Sequence, residues 1–132
     1  AYGKTFQYDE MMLTGPGEKG EAMANHVAQD KSLGGQGGPK PGEGPSKEER
    51  ENGFYDVMFI GEATNGDTLA VSVIGDKDPG YGSTSRMISE SALCLCKDVS
   101  LSGGFFTPAS ALGDKLISRL TEKAGLTFNI EK

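Results

Sequence analysis

The pattern of apolar and polar positions predicts extended structure in the first and middle parts of the chain. Phe6 and Tyr8 alternate with polar residues, which predicts a strand within residues 5–14. Residues 54–63 and 67–76 are rich in β-branched and aromatic side chains, as strands usually are. Asn65-Gly66 lies between these two segments and favours a type I′ turn, so we predict a β-hairpin there.

The strands of this hairpin carry apolar residues at successive positions, from Val57 to Ile60 and from Ala70 to Ile74. A strand with one side in water alternates apolar and polar residues, whereas a strand that is covered on both sides does not. We therefore expect cover on both faces of the hairpin, at least locally. The closing segment "LTFNIEK" is predicted to be a further strand.

Helical spacing is found in three segments. Residues 18–33 place Met23, Val27 and Ala28 near helical spacing and are predicted to form a short amphipathic helix. Residues 83–98 are predicted to form a second helix, with Ser83 or Thr84 capping its start. The expected buried face of this second helix consists of Met87, Ile88, Ser91, Ala92 and Leu95.

The third predicted helix, residues 107–125, has the clearest boundaries. Thr107 is placed to cap it, Pro108 suits the first helical position, and Gly125 suits the terminating position. Leu112, Leu116 and Leu120 are the expected core stripe. Gly113 costs about 1 kcal/mol relative to Ala inside a helix, and close approach of another backbone would be a reason to accept it.

The order of elements predicts an α+β fold. We expect an antiparallel or mixed sheet of about four strands with a central β-hairpin, covered by two or three helices. Residues 34–53, "GGQGGPKPGEGPSKEERENG", interrupt this order with a glycine- and proline-rich segment, in which Ser46 and Glu49 fit a capping box for one helical turn. This segment is either a flexible linker or a lid or arm that orders against a partner.

Size and charge narrow the possible functions. The chain of 132 residues is the size of one domain, and its net charge of −6 argues against nucleic-acid binding, which depends on Lys and Arg. It contains no apolar run long enough for a membrane span and no signal peptide, and we expect a cytoplasmic protein. The chain starts without Met and enters a strand-like pattern at once, which favours a fragment of a longer protein over a processed or tag-cleaved whole one.

Metal-ligating residues are few. Cys94 and Cys96 are the only cysteines, and His26, the only histidine, is far away in sequence, whereas a zinc site needs four ligands. Residues two apart on a helix point to nearly opposite sides, so the two cysteines are poorly placed to share a metal or a disulfide. We interpret them as small buried hydrophobic residues in a reducing compartment, and His26 as a surface or partly buried residue.

The segment "GDKDPGYGSTSRM", residues 75–87, raises the question of phosphate binding. The spacing of Gly75 and Gly80 fits the front half of a P-loop, but Tyr81 stands where the lysine should be. Asp76 and Asp78 add negative charge, and a dinucleotide fingerprint would need a third glycine, so both phosphate interpretations fail. The glycines and the proline are explained either by a turn alone or by a helix entrance that binds a carboxylate or carbonyl.

A second helix start, "GGFFTP", repeats the pattern of glycines and aromatic residues before a helix. The two starts would form a plausible pocket wall if they lay side by side. If the chain shapes a substrate cleft, we predict that five residues face it: Asp78, Gly80, Tyr81, Thr107 and Pro108. Tyr81 is the first choice for substrate contact because a phenol can donate or accept a hydrogen bond, and no residue is assigned a catalytic role.

Four segments together resemble a known family. "YGKTFQYDE", "PKPGEGPSKEERENGF", "GDKDPGYGSTSRMISESALCL" and "GGFFTPASALGDKLISRLTEKAGLTFNI" resemble the C-terminal part of the saccharopine dehydrogenase-like oxidoreductases, in the branch that includes the trans-acting enoyl reductases. The resemblance implies a single C-terminal substrate-cleft and dimerisation domain. The N-terminal Rossmann domain, which binds NAD(P) in that family, is not found in these residues.

The resemblance implies that the chain is inactive alone and binds no cofactor or metal itself, with NAD(P) bound by its parent. The expected partners are the Rossmann domain of the same chain, a second copy in a homodimer, and a small-molecule or acyl substrate, with no nucleic acid and no membrane span. The alternative is a non-catalytic interaction or assembly module. A hydrolase or metal enzyme is disfavoured, since the sequence offers neither a nucleophile–base pair nor a ligand set.

Overall fold

The computed structural model describes residues 5–30 and 42–131, and the chain divides into two compact units, residues 1–40 and 41–132. The described part of the first unit contains helix α1 (Gly17–Gln29). The predicted helix is thus confirmed, although it ends at Gln29, and residues 31–33 lie outside the described residues. His26 lies exposed in the last turn of α1, in agreement with its interpretation as a surface residue.

The predicted strand within residues 5–14 is wrong. These residues form no ladder with another segment, and the side chains of Tyr8, Met11 and Met12 are all exposed. A strand needs a neighbouring strand to satisfy its backbone groups, and no described residue supplies one here. Alternation of apolar and polar residues was therefore an insufficient signal in this segment.

The second unit contains six elements. They are α2 (Lys47–Asn52), β1 (Tyr55–Glu62), β2 (Thr68–Gly75), α3 (Gly82–Lys97), α4 (Pro108–Lys123) and β3 (Leu126–Glu131). The three strands form one antiparallel sheet in the order β1-β2-β3. The α+β class and the closing strand are confirmed, while the described residues give three strands instead of about four.

The hairpin is confirmed, but its turn differs from the predicted type I′. Gly66 has a φ of +88°, whereas Asn65 has no positive φ, which a type I′ turn would require. The Ala63 N–H donates to the Asp67 carbonyl at 2.8 Å, and the Gly66 N–H donates to the Ala63 carbonyl at 2.9 Å. The loop therefore has three residues, and only the glycine adopts the left-handed conformation.

Helices α3 and α4 cover one end of one face of this sheet. The core consists of Cys94, Leu112, Leu116, Leu120, Ala124 and Leu126, with Val73 and Phe128 of the sheet packed against it. The register places Val57 beside Val73 and Phe59 beside Val71, on the same face as the core. The expectation of cover on both faces is nevertheless wrong for β1, where every residue from Val57 to Ile60 is exposed.

The buried side of α3 is rotated from the predicted one. Ser83 and Cys94 are fully buried and Met87 packs on the core, whereas Ile88 is 68% and Leu95 is 54% exposed. The helix carries two neighbouring apolar stripes, and sequence spacing alone could not choose between them. Cys94 is thus a buried hydrophobic residue as predicted, while Cys96 is exposed, which corrects its interpretation.

Helix α4 follows its predicted signals closely. Thr107 and Ser110 form a capping box, Pro108 is the first residue, and the leucine stripe is buried. Gly113 is the exception, because its φ of 48° and ψ of −136° break the helix, and an added Cβ would meet nothing within 4 Å. Its backbone conformation therefore requires glycine, and the expected close approach of another backbone is wrong.

Within residues 5–30 and 42–131, the longest helices are too short and too polar to cross a membrane.

Candidate functional site

The loop between β2 and α3, residues 76–82, is organised by the carboxylate of Asp78. We call it the Asp78 loop. The carboxylate accepts the backbone N–H of Gly80 at 2.9 Å, of Tyr81 at 3.2 Å and of Gly82. The Asp78 carbonyl accepts the Ser83 N–H at 2.8 Å. Asp78 thus caps α3 from upstream, in the place predicted for Ser83 or Thr84, because the loop folds back across the helix start.

This arrangement also sets the ionisation of the site. Hydrogen bonds from Gly82 first, and then from Tyr81 and Gly80, hold the pKa of Asp78 below its usual value, and the charge of Arg50 acts in the same direction. Asp78 is therefore a carboxylate at neutral pH. The N–H groups of Gly82 and Ser83, at the start of α3, are bound by the carboxylate and the carbonyl of Asp78, so these two are not available to bind a second anion.

Residues 42–54 form a second layer against the Asp78 loop. The Asp78 N–H donates to the Arg50 carbonyl at 3.3 Å, and the Lys77 Nζ donates to the Glu51 carbonyl at 3.0 Å. Helix α2 is fixed in turn by the predicted capping box of Ser46 and Glu49, which is confirmed. The described half of the glycine- and proline-rich segment is thus packed on its own domain, while residues 34–41 lie outside the described residues.

Glycines permit this contact between backbones. A Cβ on Gly53 would lie 2.7 Å from the Asp78 Cα, and one on Gly82 would lie 2.7 Å from the Arg50 carbonyl oxygen. Gly44 packs against the ring of Tyr81, where a Cβ would lie 3.2 Å from the ring carbons. Sequence analysis identified the glycine enrichment but not this pairing, which joins positions 25 to 37 residues apart in a way that no local signal reports.

Tyr81 is the exposed side chain of this site. It is 56% exposed, and one edge of its ring lies against Gly44. Its hydroxyl makes no hydrogen bond to any described residue, whereas the Tyr55 hydroxyl shares a 2.8 Å bond with the buried Ser83 Oγ. Tyr55 therefore ties β1 to α3, and Tyr81 has a phenol free to contact a bound molecule.

The structure brings together only part of the predicted substrate-binding set. Asp78, Gly80 and Tyr81 lie in one loop. The Asp76 N–H donates to the Gly125 carbonyl at 3.3 Å, which continues the pairing of β2 and β3 by one residue. Arg119 of α4 contacts both Glu90 and Asp98, which joins α4 to α3.

Thr107 and Pro108 begin the part of α4 that precedes the break at Gly113. Thr107 bonds to Ser110 and Ala111, and no hydrogen bond among the described residues joins it to the Asp78 loop. The two aromatic residues that precede α4, Phe105 and Phe106, are both exposed.

A charged cluster between α3 and α4 was missed by sequence analysis. Arg119 donates to Glu90 at 2.8 Å and to Asp98. The bond from Arg119 lowers the pKa of Asp98, and burial raises the pKa of the Cys94 thiol. Cys94 is thus kept as an unreactive thiol, and the cluster serves to join the two helices.

The Asp78 loop does not fit a nucleotide diphosphate. The glycine turn that would hold a diphosphate is filled by Asp78, whose negative charge would repel it. No group of three or more metal-ligating side chains occurs among residues 5–30 and 42–131. What the site offers is a phenol, aromatic surface and backbone held rigid by glycine contacts, which can bind and orient a molecule.

Comparison with known proteins gives one consistent set of relatives. The chain is 35% identical over 139 residues to a Mycobacterium tuberculosis protein provisionally named a trans-acting enoyl reductase. It is 33% identical over 146 residues to a trans-acting enoyl reductase of Mycobacterium ulcerans, and 31% identical over 139 residues to one of Mycobacterium bovis. No family model and no solved structure matches the chain.

The matches cover very different shares of this chain and of its relatives. They take in 91% of this chain and 33% of the Mycobacterium tuberculosis relative, with 92% and 34% for the Mycobacterium ulcerans one. The chain spans about a third of the length of the curated relatives it matches. Most of this chain is thus similar to a segment that makes up about one third of the length of proteins named enoyl reductases.

Proposed function

We propose that this chain is the C-terminal domain of a saccharopine dehydrogenase-like, NAD(P)-dependent oxidoreductase, and that it shapes the substrate cleft and the subunit interface. The similarity to proteins named enoyl reductases, over 91% of the chain, carries this proposal. In this function the domain is inactive by itself. Its partner is an N-terminal Rossmann domain of the same protein, which supplies the nicotinamide cofactor, and the protein is cytoplasmic.

The Asp78 loop supports this division of labour. Asp78 occupies the helix start whose glycine spacing resembles a phosphate loop, which favours a cofactor site in another domain. The domain contributes binding and orientation, which are the protein's share of the work in cofactor-dependent reactions. No residue described here is assigned to hydride or proton transfer.

Tyr81 is the proposed centre of substrate binding, with Asp78 and Gly80 holding it in place. The Tyr81 phenol can donate a hydrogen bond to a substrate carbonyl, and Gly44 supports one edge of the ring. Thr107 and Pro108 remain proposed contacts.

The first experiment tests cofactor binding. The gene that contains this sequence is read upstream of Ala1, and the full-length product and the 132-residue chain are each titrated with NADPH and NADH by fluorescence. We expect binding by the full-length product and none by the chain. A gene that encodes the chain alone, or tight nucleotide binding by the chain, contradicts the proposal.

The second experiment tests the substrate contact. Tyr81→Phe in the full-length protein is expected to raise KM or lower kcat/KM about tenfold, the effect of losing one hydrogen bond to an oriented substrate. Tyr8→Phe removes another exposed phenol and is the matched control, with no effect expected. Equal kinetics of Tyr81→Phe and wild type would remove Tyr81 from the site.

A non-catalytic assembly module is the second candidate function. The four exposed apolar residues of β1 favour it, because monomeric proteins rarely leave such a strand open. Absence of cofactor binding by the full-length product would select this alternative.

A further inference from the structure

Strand β1 is an open edge of the sheet. Its only paired neighbour among the described residues is β2, so one side of its backbone has no partner there. The Ala63 N–H donates to the Asp67 carbonyl, so Ala63 and every second residue before it point toward β2. The N–H and carbonyl groups of Asp56, Met58 and Ile60 consequently point away from the sheet.

The side chains of this edge lack the usual protection. Val57, Met58, Phe59 and Ile60 are 42%, 49%, 55% and 70% exposed. No Pro, Lys or bulge interrupts the strand. Natural edge strands usually carry such protection, since an open apolar edge pairs readily with another strand. We therefore expect β1 to be paired in the complete protein.

The exposed apolar surface continues from this edge onto one face of the sheet. The register places Phe59, Val71 and Ile130 in one row across the three strands, on the face whose other end is covered by α3 and α4. Ile130 is 75% exposed, and Leu69, on the same face, is 56% exposed. Contiguous apolar surface of this kind marks a place where another part of a protein binds.

The second edge of the sheet, β3, is different. Its Glu131 carboxylate accepts the Ser72 hydroxyl of β2, and its Asn129 amide donates to the same hydroxyl. Polar and charged side chains on an edge strand discourage further pairing. The unprotected edge is therefore specific to β1.

The similarity to longer proteins favours one occupant for this edge. The match takes in 33% of the Mycobacterium tuberculosis relative, so about two thirds of that protein lies outside the matched segment. Within the proposed function, the corresponding part of this protein is on the same polypeptide as β1. A tethered segment meets its site at an effective concentration on the order of millimolar, whereas a second copy binds from dilute solution. The tethered part therefore has the advantage over a second copy.

We propose that a strand from this larger part of the protein pairs with the outward side of β1 and extends the sheet. The added strand binds the outward backbone groups of residues 56–60. Its side chains are apolar on both faces, because it lies beside Val57 and Phe59 on one face and Met58 and Ile60 on the other. This inference rests on the proposed function and gives the partner domain its place on this chain.

Hydrogen–deuterium exchange of the full-length protein and of the 132-residue chain tests the pairing. In the chain, the outward amides of Asp56, Met58 and Ile60 are expected to exchange fast. In the full-length protein, their exchange should slow at least about tenfold, because each amide gains a hydrogen bond. The Asn65 amide, in the hairpin turn, lies beyond the proposed pairing and is the control, with no change expected.

Dilution separates the two possible occupants. Exchange of the full-length protein is measured again after roughly tenfold dilution, and slow exchange that is unchanged supports the tethered strand. Slow exchange that is lost on dilution, or that is already present in the 132-residue chain, assigns the edge to a second copy and overturns the proposal. Fast exchange of the three amides in the full-length protein overturns it as well.

A proline substitution tests the same backbone bond. Met58→Pro removes an outward N–H, which an edge strand tolerates, so in the 132-residue chain its Tm should equal that of the matched control Met58→Ala. In the full-length protein, Met58→Pro should have a Tm at least about 4 °C lower than Met58→Ala, because the bond to the added strand is lost. Equal Tm values in both proteins contradict the pairing. If Met58→Pro fails to fold, the exchange measurement decides alone.

The outcomes for this inference and for the proposed function are distinguishable. Fast exchange at β1 in a full-length protein that binds NADPH rejects the strand pairing and leaves the oxidoreductase assignment standing. Slow exchange in a full-length protein that binds no nucleotide supports the pairing and rejects that assignment. A gene that encodes the 132-residue chain alone contradicts both.

Discussion

The starts of α3 and α4 look alike in sequence and are built differently. Each follows glycines and aromatic residues, yet α3 is capped by Asp78 from within a loop that packs on residues 42–54. Helix α4 is capped by its own neighbours, Thr107 and Ser110, and the residues before it are exposed. Similar local sequences thus form one helix start that residues distant in sequence support and one that only neighbouring residues support.

The two helix starts therefore differ in which contacts hold them in place. The α3 entrance holds Tyr81 against Gly44 and depends on contacts between residues far apart in sequence. The α4 entrance depends on hydrogen bonds between neighbouring residues. The following predictions test the contrast, starting with the largest expected effect.

Addition of one methyl group should distinguish the two entrances. Gly53→Ala is expected to lower the free energy of unfolding by about 2–3 kcal/mol, because the new Cβ would lie 2.7 Å from Asp78 backbone and side-chain atoms. The φ of Gly53 is −66°, which alanine tolerates, so the cost comes from the contact alone. Gly103→Ala, before α4, meets nothing within 4 Å and should change stability by less than about 0.5 kcal/mol.

Urea unfolding followed by circular dichroism measures both changes. Equal stability of Gly53→Ala and Gly103→Ala would mean that residues 42–54 do not pack on the Asp78 loop in solution.

Removal of the two caps should have graded effects. Thr107→Ala is expected to lower the free energy of unfolding by ~1 kcal/mol, the usual loss for a single N-cap. Asp78→Asn should lower the urea midpoint more than Thr107→Ala, because three N–H groups lose a charged acceptor. The loss should stay below that of Gly53→Ala, since water can reach Gly80 and Tyr81. A Thr107→Ala effect larger than that of Asp78→Asn would reverse our ranking of the two entrances.

The smallest effect concerns pH. The pKa of Asp78 is lower in the folded protein than its ordinary value of 3.8, so its stabilisation is present above that value. The stabilisation is lost as pH falls through the folded pKa. The difference in unfolding midpoint between wild type and Asp78→Asn should therefore shrink below pH 3.8.

The Thr107 hydroxyl does not titrate in this range, so the difference between wild type and Thr107→Ala should stay constant over the same interval. Asp98 and Glu49 are present in both proteins of each comparison, so their contributions to the pH dependence of stability cancel. A constant difference for Asp78→Asn would mean that its carboxylate is not the cap of α3.

Local signals predicted the elements whose cause is local. Thr107, Pro108, the leucine stripe and Gly125 were sufficient to predict α4, and Ser46 with Glu49 was sufficient for α2. Residues 54–63 and 67–76 were predicted correctly as a hairpin, although Gly66 alone adopts the positive φ of its turn.

The errors concern features that depend on distant partners. The strand predicted at 5–14 finds no partner in the described residues, and the apolar residues of β1 find no cover. For the candidate site, Tyr81 and Asp78 were identified from the sequence, but the supporting role of Gly44 and Gly53 was not. Such contacts depend on how the chain folds back on itself, which the order of residue types does not encode locally.

The unequal burial of Cys94 and Cys96 provides a built-in readout of folding. A maleimide reagent should label one thiol per native chain and two per unfolded chain, and the rate of the second labelling event would report how often α3 separates from α4. The Arg119 salt bridges that join those helices could then be weighed by their effect on that rate, with no probe added to the protein.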